Sequence, residues 1–157
     1  MVKDYARLLA GDPDYAARAR RVSEATRDLS EVIAVEDLAR AATARGSGRV
    51  VAWQAPCTLQ HGQSIAGRVE GLLEAAGFRL AAVSDRKLCC GSAGTYSLLQ
   101  PELSAELRGR KIEALMARSP EVVATANIGC LEHLRVASPV PVKHWVELVD
   151  EVLGKAG

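Results

Sequence analysis

Arg49-Val50-Val51-Ala52-Trp53-Gln54-Ala55-Pro56-Cys57 decides the fold: an apolar run that reads as a buried strand passes through a proline turn into a cysteine. The same order recurs twice downstream. Phe78 to Val83 reads as a second strand and leads to Cys89-Cys90-Gly91-Ser92, while Glu121 to Ala126, carrying Val122 and Val123, reads as a third and leads to Gly129-Cys130. Val140-Pro141-Val142 supplies a short fourth. Helical patterns separate them. Gln63 to Ala76 places Ile65, Val69, Leu72, Leu73 and Ala76 on one face and stops at Gly77. Pro101-Glu102 opens a helix with Leu103, Leu107, Ile112, Leu115 and Met116, and Trp145, Leu148, Val149 and Val152 mark a last one. Strands alternating with helices predict an α/β fold: roughly four parallel strands joined by right-handed crossovers, with helices on both faces. The carboxyl ends of such strands share the edge at which open sheets take ligands. Cys57, Cys89, Cys90 and Cys130 are therefore expected there together, within about 10 Å, the scale of a shared inorganic site.

Upstream the pattern is helical throughout. Asp12-Pro13 reads as an N-cap followed by proline at the first helical position, and Tyr15, Ala19, Val22 and Leu29 keep helical spacing. Ser30-Glu31 begins a second, shorter helix running to about Ala44. Arg45-Gly46-Ser47-Gly48 is the best candidate boundary, giving a helical segment over 1–48 and an α/β domain over 49–157. Met1 to Tyr5 enters a helical pattern without a cap, which reads as a piece of a longer polypeptide whose apolar stripe (Tyr5, Leu8, Leu9, Tyr15, Val22) would promote self-association.

Composition narrows the function. A chain of 157 residues with 48% hydrophobic content can bury a proper core, although only two Trp, three Tyr and one Phe are aromatic. A formal charge of +1, with acids and bases interspersed, gives no footprint for nucleic acid. No apolar run reaches the length of a membrane span and no signal-peptide core is visible, so a cytoplasmic protein is expected. In that compartment four cysteines argue for metal or redox chemistry over a disulfide framework.

The spacing selects among metal sites. Cys57 and Cys89 stand 32 positions apart and Cys90 and Cys130 stand 40 apart. Zinc fingers and ribbons use tight C-x₂₋₄-C pairs, and bacterial ferredoxins use a C-x₂-C-x₂-C run; neither is present. Adjacent residues of a strand point to opposite faces, so Cys89 and Cys90 can aim at one centre only from an irregular loop. Gly91, Ser92, Ala93 and Gly94 supply that loop and let backbone N–H groups approach sulfur. The stretch lacks the lysine and glycine spacing of a phosphate cradle.

These motifs carry a resemblance. Ala55-Pro56-Cys57-Thr58-Leu59-Gln60-His61, Leu88-Cys89-Cys90-Gly91-Ser92-Ala93-Gly94-Thr95-Tyr96, Thr125-Ala126-Asn127-Ile128-Gly129-Cys130 and His144-Trp145-Val146-Glu147-Leu148 resemble the cysteine-rich CCG domain of glycolate oxidase (glycolate dehydrogenase) iron–sulfur subunits, a domain also found in heterodisulfide reductases and lactate-utilisation proteins. The resemblance implies a Rossmann-like CCG domain relaying electrons from a flavin subunit through a 4Fe–4S cluster ligated by Cys57, Cys89, Cys90 and Cys130. Gly91, Gly94 and His61 would be supporting cofactor contacts and His133 a further metal ligand. It also implies flavin-containing partner subunits, an upstream ferredoxin-like and CCG domain, a location at or near the inner face of the membrane, and a cluster that can be absent from the isolated fragment. Three departures stand out: the ferredoxin-type motifs and first CCG domain are missing, Cys130 is followed by His133 where heterodisulfide reductase has Cys-x-x-Cys, and Gln54 replaces a histidine common in relatives.

Other readings of the same residues remain open. Cysteine is often simply buried, and lone histidines such as His61, His133 and His144 often cap or line loops. Lys111 and Arg110 fit a solvated helix face, Tyr96 and Gln100 fit packing and capping. A metal-free or zinc-binding assembly domain, or thiol–disulfide chemistry at Cys89-Cys90, would use the same fold. No acid–base pair or nucleophilic triad stands out, so catalysis by this chain alone is not expected.

Overall fold

The computed structural model describes residues 2–42 and 48–153 and divides the chain into two compact units, 1–33 and 34–157. The candidate break at Arg45-Gly46-Ser47 and the end of the helix expected near Ala44 lie outside the described residues.

In the first unit, a 3₁₀ turn (Val2–Asp4) precedes α1 (Tyr5–Leu8), α2 (Ala16–Ala25) and α3 (Leu29–Val32). Asp12 does not start a helix at Pro13. Its Oδ1 accepts from the N–H groups of Asp14 and Tyr15, which closes a local turn, and α2 begins only at Ala16. Asp28 and Glu31 form a reciprocal capping box on α3. Glu31 also meets Lys3 at 2.5 Å, and Ser23 Oγ ties α2 to the chain start through Ala6 N and Val2 O, both at 3.0 Å. Tyr5, Leu8, Tyr15 and Val22 are exposed, while Leu9 is half-buried.

The second unit runs α4 (Val35–Ala42), β1 (Val50–Gln54), α5 (Cys57–Gln60), α6 (Arg68–Ala75), β2 (Arg79–Leu80), α7 (Tyr96–Leu99), α8 (Pro101–Met116), β3 (Val122–Thr125), α9 (Ile128–Arg135), β4 (Val142–His144) and α10 (Trp145–Leu153). The four strands form one parallel sheet in the order β2-β1-β3-β4, as the alternating pattern predicts. β1 and β3 are central and buried along nearly their whole length, which is why they read as continuous apolar runs. Register places Ala52, Val123 and Val142 side by side. They share a core with Leu115 of α8, Leu131 and Leu134 of α9, and Cys90. α4, α6 and α10 pack together as a separate layer that touches β2, β3 and β4. Leu72, Leu73, Leu115, Leu134 and Leu148 are fully buried, each worth about 1.5–3 kcal/mol of transfer free energy. Among the described residues no helix is long and apolar enough to cross a membrane.

Several boundaries differ from the sequence reading: the second strand is confined to Arg79–Leu80 within the expected Phe78 to Val83, and the helix expected from Ser30 is two, α3 and α4. The helix expected from Gln63 starts at Arg68, because Ser64 (φ +57°) and Gly67 (φ +76°) adopt left-handed backbone that no helix accommodates. The fourth strand is displaced to Val142–His144, since Pro141 has no N–H for the ladder; its carbonyl accepts from Val123 N at 2.9 Å instead. The short helix α5 follows directly on Pro56, where the sequence showed only a turn.

Candidate functional site

Each cysteine is positioned by the element that its strand runs into. β1 ends at Gln54, Pro56 sets the chain at φ −74° and ψ 149°, and Cys57 is the first residue of α5. Leu59 anchors that turn in the core, and Gln60 Nε2 donates to the Ala55 carbonyl at 2.8 Å. β3 ends at Thr125, and Asn127 then caps α9 by accepting from Cys130 N at 3.2 Å, which places Cys130 one turn into the helix. Asn127 Nδ2 also reaches Thr58 Oγ1 at 3.5 Å, linking the two loops.

Cys89 and Cys90 lie in an irregular segment, as their adjacency required. Gly91 turns it at φ +92°, and a Cβ there would stand 2.4 Å from the Ser104 carbonyl oxygen and 3.0 Å from His133 Nε2. Only glycine fits. Its N–H donates to Cys89 Sγ at 3.3 Å and its carbonyl accepts from the Ser104 hydroxyl at 2.9 Å. Gly94 (φ +54°) has open space around the position of a Cβ, so only its backbone conformation favours glycine.

The four cysteines line one pocket of about 220 Å³ at the carboxyl edge of the sheet, together with Pro56, Thr58, Ser92, Ala93, Gly94 and Asn127. Cys57 is exposed, Cys89 and Cys130 are half-buried, and Cys90 is buried; all four are free thiols. Cys90 Sγ and Cys130 Sγ are 3.1 Å apart. Among the described residues no three Cys, His, Asp or Glu side chains surround a single point closely enough to hold one metal ion as they stand. The sulfurs are arrayed around the pocket instead.

The pocket favours thiolate at one of its cysteines, Cys90. Cys90 is lowered to about 6, first by the hydrogen bond that Cys130 donates to it, then by the Ser92 backbone and the positive charge of Lys111, against the opposing effect of burial. Cys130, as the donor, is correspondingly raised, further so by burial. Cys57 is raised by the part of its thiol turned away from water and by the charges of Cys89 and Cys90.

The histidines stand outside this pocket. His133 lies behind the Gly91 turn, its Nε2 3.2 Å from Ser104 Oγ and 3.3 Å from the Ser104 carbonyl. His61 is exposed just past α5, its N–H donating to the Cys57 carbonyl at 2.8 Å. His144 ends β4, where its Nδ1 accepts from Val146 N at 3.4 Å.

Lys111 overturns the reading of α8. The pattern of Leu103, Leu107 and Leu115 suggested an apolar face with Lys111 outside it, yet Leu103 is exposed and the buried stripe is Ser104, Lys111, Ala114 and Leu115. Lys111 is 0% exposed, its Nζ donating to the carbonyls of Arg86 (3.1 Å) and Asp85 (3.3 Å). Spacings of seven and four residues from Ser104 to Lys111 to Leu115 are one helical face, a signal already present in the sequence.

A parallel α/β sheet whose carboxyl edge gathers four cysteines from three loops, two of them adjacent and followed by glycine, defines a cysteine-rich domain with its thiols collected at one pocket. The chain belongs to the CCG cysteine-rich domain family, which matches residues 51–135. It is 47% identical over 98% of its length to the glycolate oxidase iron–sulfur subunit of Escherichia coli strain K12, covering 37% of that protein. It is 27% identical over 96% of its length to the probable glycolate oxidase iron–sulfur subunit of Bacillus subtilis strain 168, covering 36% of it, and 27% identical to lactate utilization protein A of Geobacillus thermodenitrificans, covering 65%. The chain thus spans little more than a third of the two iron–sulfur subunits.

Proposed function

We propose that this chain is the electron-relay module of a glycolate-oxidising enzyme, holding an iron–sulfur cluster of the 4Fe–4S kind through Cys57, Cys89, Cys90 and Cys130. The observation that carries this reading is the convergence of those four thiols, from three loops far apart in sequence, on one pocket that, among the described residues, no carboxylate lines. A soft, all-sulfur donor set suits iron–sulfur chemistry. Such a cluster, when bound, supplies one-electron transfer.

The chain's own residues do the rest. Cys90 offers a thiolate near neutral pH. The Gly91 N–H bond to Cys89 sulfur is of the kind that tunes a cluster's potential. Gly94 lines the pocket, and His61, bonded through its backbone to Cys57, supports the exposed ligand. His133 acts from behind the loop, fixing Ser104 and through it the Gly91 carbonyl. Glycolate and flavin chemistry would belong to partner subunits at the inner face of the membrane, with an upstream ferredoxin-like and CCG domain beside this one.

Anaerobic reconstitution with iron and sulfide tests the reading. A brown protein with iron and acid-labile sulfide in near-equal amounts is expected; binding of zinc alone would replace it with an assembly role. A second reading, dithiol redox chemistry, is favoured by the 3.1 Å contact of Cys90 and Cys130, which makes that pair a better candidate than Cys89-Cys90. A disulfide between Cys90 and Cys130 in protein that takes up no iron would establish it.

A further inference from the structure

Lys111 is the charged group that the cysteine site does not explain. A fully buried lysine is rare unless it is paired, because the interior solvates an ammonium far less well than water does. Here the Nζ finds two carbonyl oxygens, those of Asp85 and Arg86, and among the described residues no carboxylate within ion-pair distance. Two neutral acceptors leave a net positive charge in the core. Burial pulls the Lys111 ammonium below the ordinary lysine range, and the charges of Cys90 and Cys57, then those of Asp85 and Cys130, oppose that shift. Both carbonyls belong to the segment that runs into Cys89, and Leu115, one turn further along the same face of α8, shares a core with Cys90, so the cation stands behind that arm of the pocket.

We propose that Lys111 is the buried counter-charge of the cysteine pocket, making its potential less negative and a cluster bound there easier to reduce than the four thiolates alone would. This rests on the pocket being the functional site. Four thiolates on a cluster concentrate negative charge, and reduction adds one more. A fixed cation nearby in a medium of low dielectric favours the more negative state. Lys111 is a positioning residue in this sense: it acts through the ligands and touches no substrate. Its bonds to the Asp85 and Arg86 carbonyls also anchor the segment leading into Cys89, so a test must separate charge from anchoring.

The test has two arms on the whole chain, comparing wild type with Lys111→Met and with Lys111→Arg, which keeps the charge. In the metal-free protein, thiols are modified with an anionic (sulfonatoethyl) and a cationic (trimethylammonioethyl) methanethiosulfonate, and the ratio of the two rates is taken relative to free cysteine. Thiolate fraction cancels in that ratio, so it reports local potential. Lys111→Met should lower the anionic-to-cationic ratio at least threefold relative to wild type, and Lys111→Arg should restore it. After reconstitution, Lys111→Met should change the oxidised-to-reduced ratio at fixed poise about tenfold toward oxidised, a fall of about 59 mV for one electron, with iron and sulfide content unchanged. A reagent ratio that is the same in wild type and Lys111→Met overturns the proposal, whether or not iron binds. A wild type that takes up no cluster overturns the electron-relay reading alone, and the reagent ratio still decides Lys111. If Lys111→Met does not fold, Lys111→Gln takes its place, and an unchanged ratio in that variant overturns the proposal in the same way.

Discussion

The Thr125 hydroxyl donates to the Gln54 side-chain oxygen at 2.5 Å, joining the last residues of β1 and β3, which are also register partners. Both side chains are almost wholly buried. The loops to Cys57 and to Cys130 leave the sheet from this point, so the bond sets the separation at which two arms of the pocket begin. Gln54 is thus a strut between strands. Thr125→Val would leave the Gln54 oxygen unpaired at a cost of about 1–3 kcal/mol. Chemical denaturation of the metal-free protein should show that loss; a variant as stable as wild type would deny the strut any structural weight.

Gly91 and Gly94 should respond differently to alanine. Both have positive φ, and a side chain in such backbone costs about 1–3 kcal/mol. At Gly91 the new Cβ also meets the Ser104 carbonyl at 2.4 Å, whereas at Gly94 it meets nothing. Gly91→Ala should therefore lower Tm clearly more than Gly94→Ala, and should also disturb cluster uptake. Equal shifts in thermal melts would contradict the geometry.

Cysteine ligation predicts a graded set of reconstitution results. The Cys89→Ser, Cys90→Ser double variant should lose bound iron and sulfide, since a hydroxyl is a poor replacement for a soft thiolate. His133→Ala should keep the cluster content and shift only its spectrum or potential, because its ring is taken up by Ser104 behind the loop. Full iron retention in the double variant would falsify the site assignment, and loss of iron in His133→Ala would return that imidazole to the ligand set.

The coupled pair Cys90 and Cys130 gives the metal-free protein a distinctive pH dependence. The first proton leaves the pair near pH 6, well below the ordinary thiol range, and the second is held far above it. Between about pH 6 and the ordinary thiol value the folded pair carries one proton fewer than the unfolded chain, so stability from this pair rises with pH. Above that value the unfolded chain loses both protons while the folded pair keeps one, and stability falls. Thiolate absorbance at 240 nm should show a step of one thiolate near pH 6 that disappears in Cys90→Ser. A titration with no thiolate below pH 8 would show that the pair is not coupled in this way.

The exposed Tyr5, Leu8, Tyr15 and Val22 of the first unit predict self-association of this chain. Light scattering at rising concentration should report a mass above that of one chain. A monomer throughout would assign those side chains no partner of their own kind.

The parallel sheet and the meeting of its cysteine loops were legible in the order of residues alone. Both follow from local signals: apolar runs such as Val50 to Trp53 that can only be buried, Pro56 and Gly91 that break them, and helical spacing between runs that forces parallel crossovers. The remaining features depend on neighbours distant in the chain, and the packed molecule settles them. His133 reads locally as part of a Cys-x-x-His motif, yet Ser104, 29 residues away, takes up its ring. Cys90 lies beside Cys89 in sequence, yet its sulfur meets Cys130 across 40 residues. Lys111 stands at helical spacing from Leu115, but whether that face turns to water or inward is settled by carbonyls at Asp85 and Arg86. Periodicity shows that a helix has a face; only the packed sheet shows what that face meets.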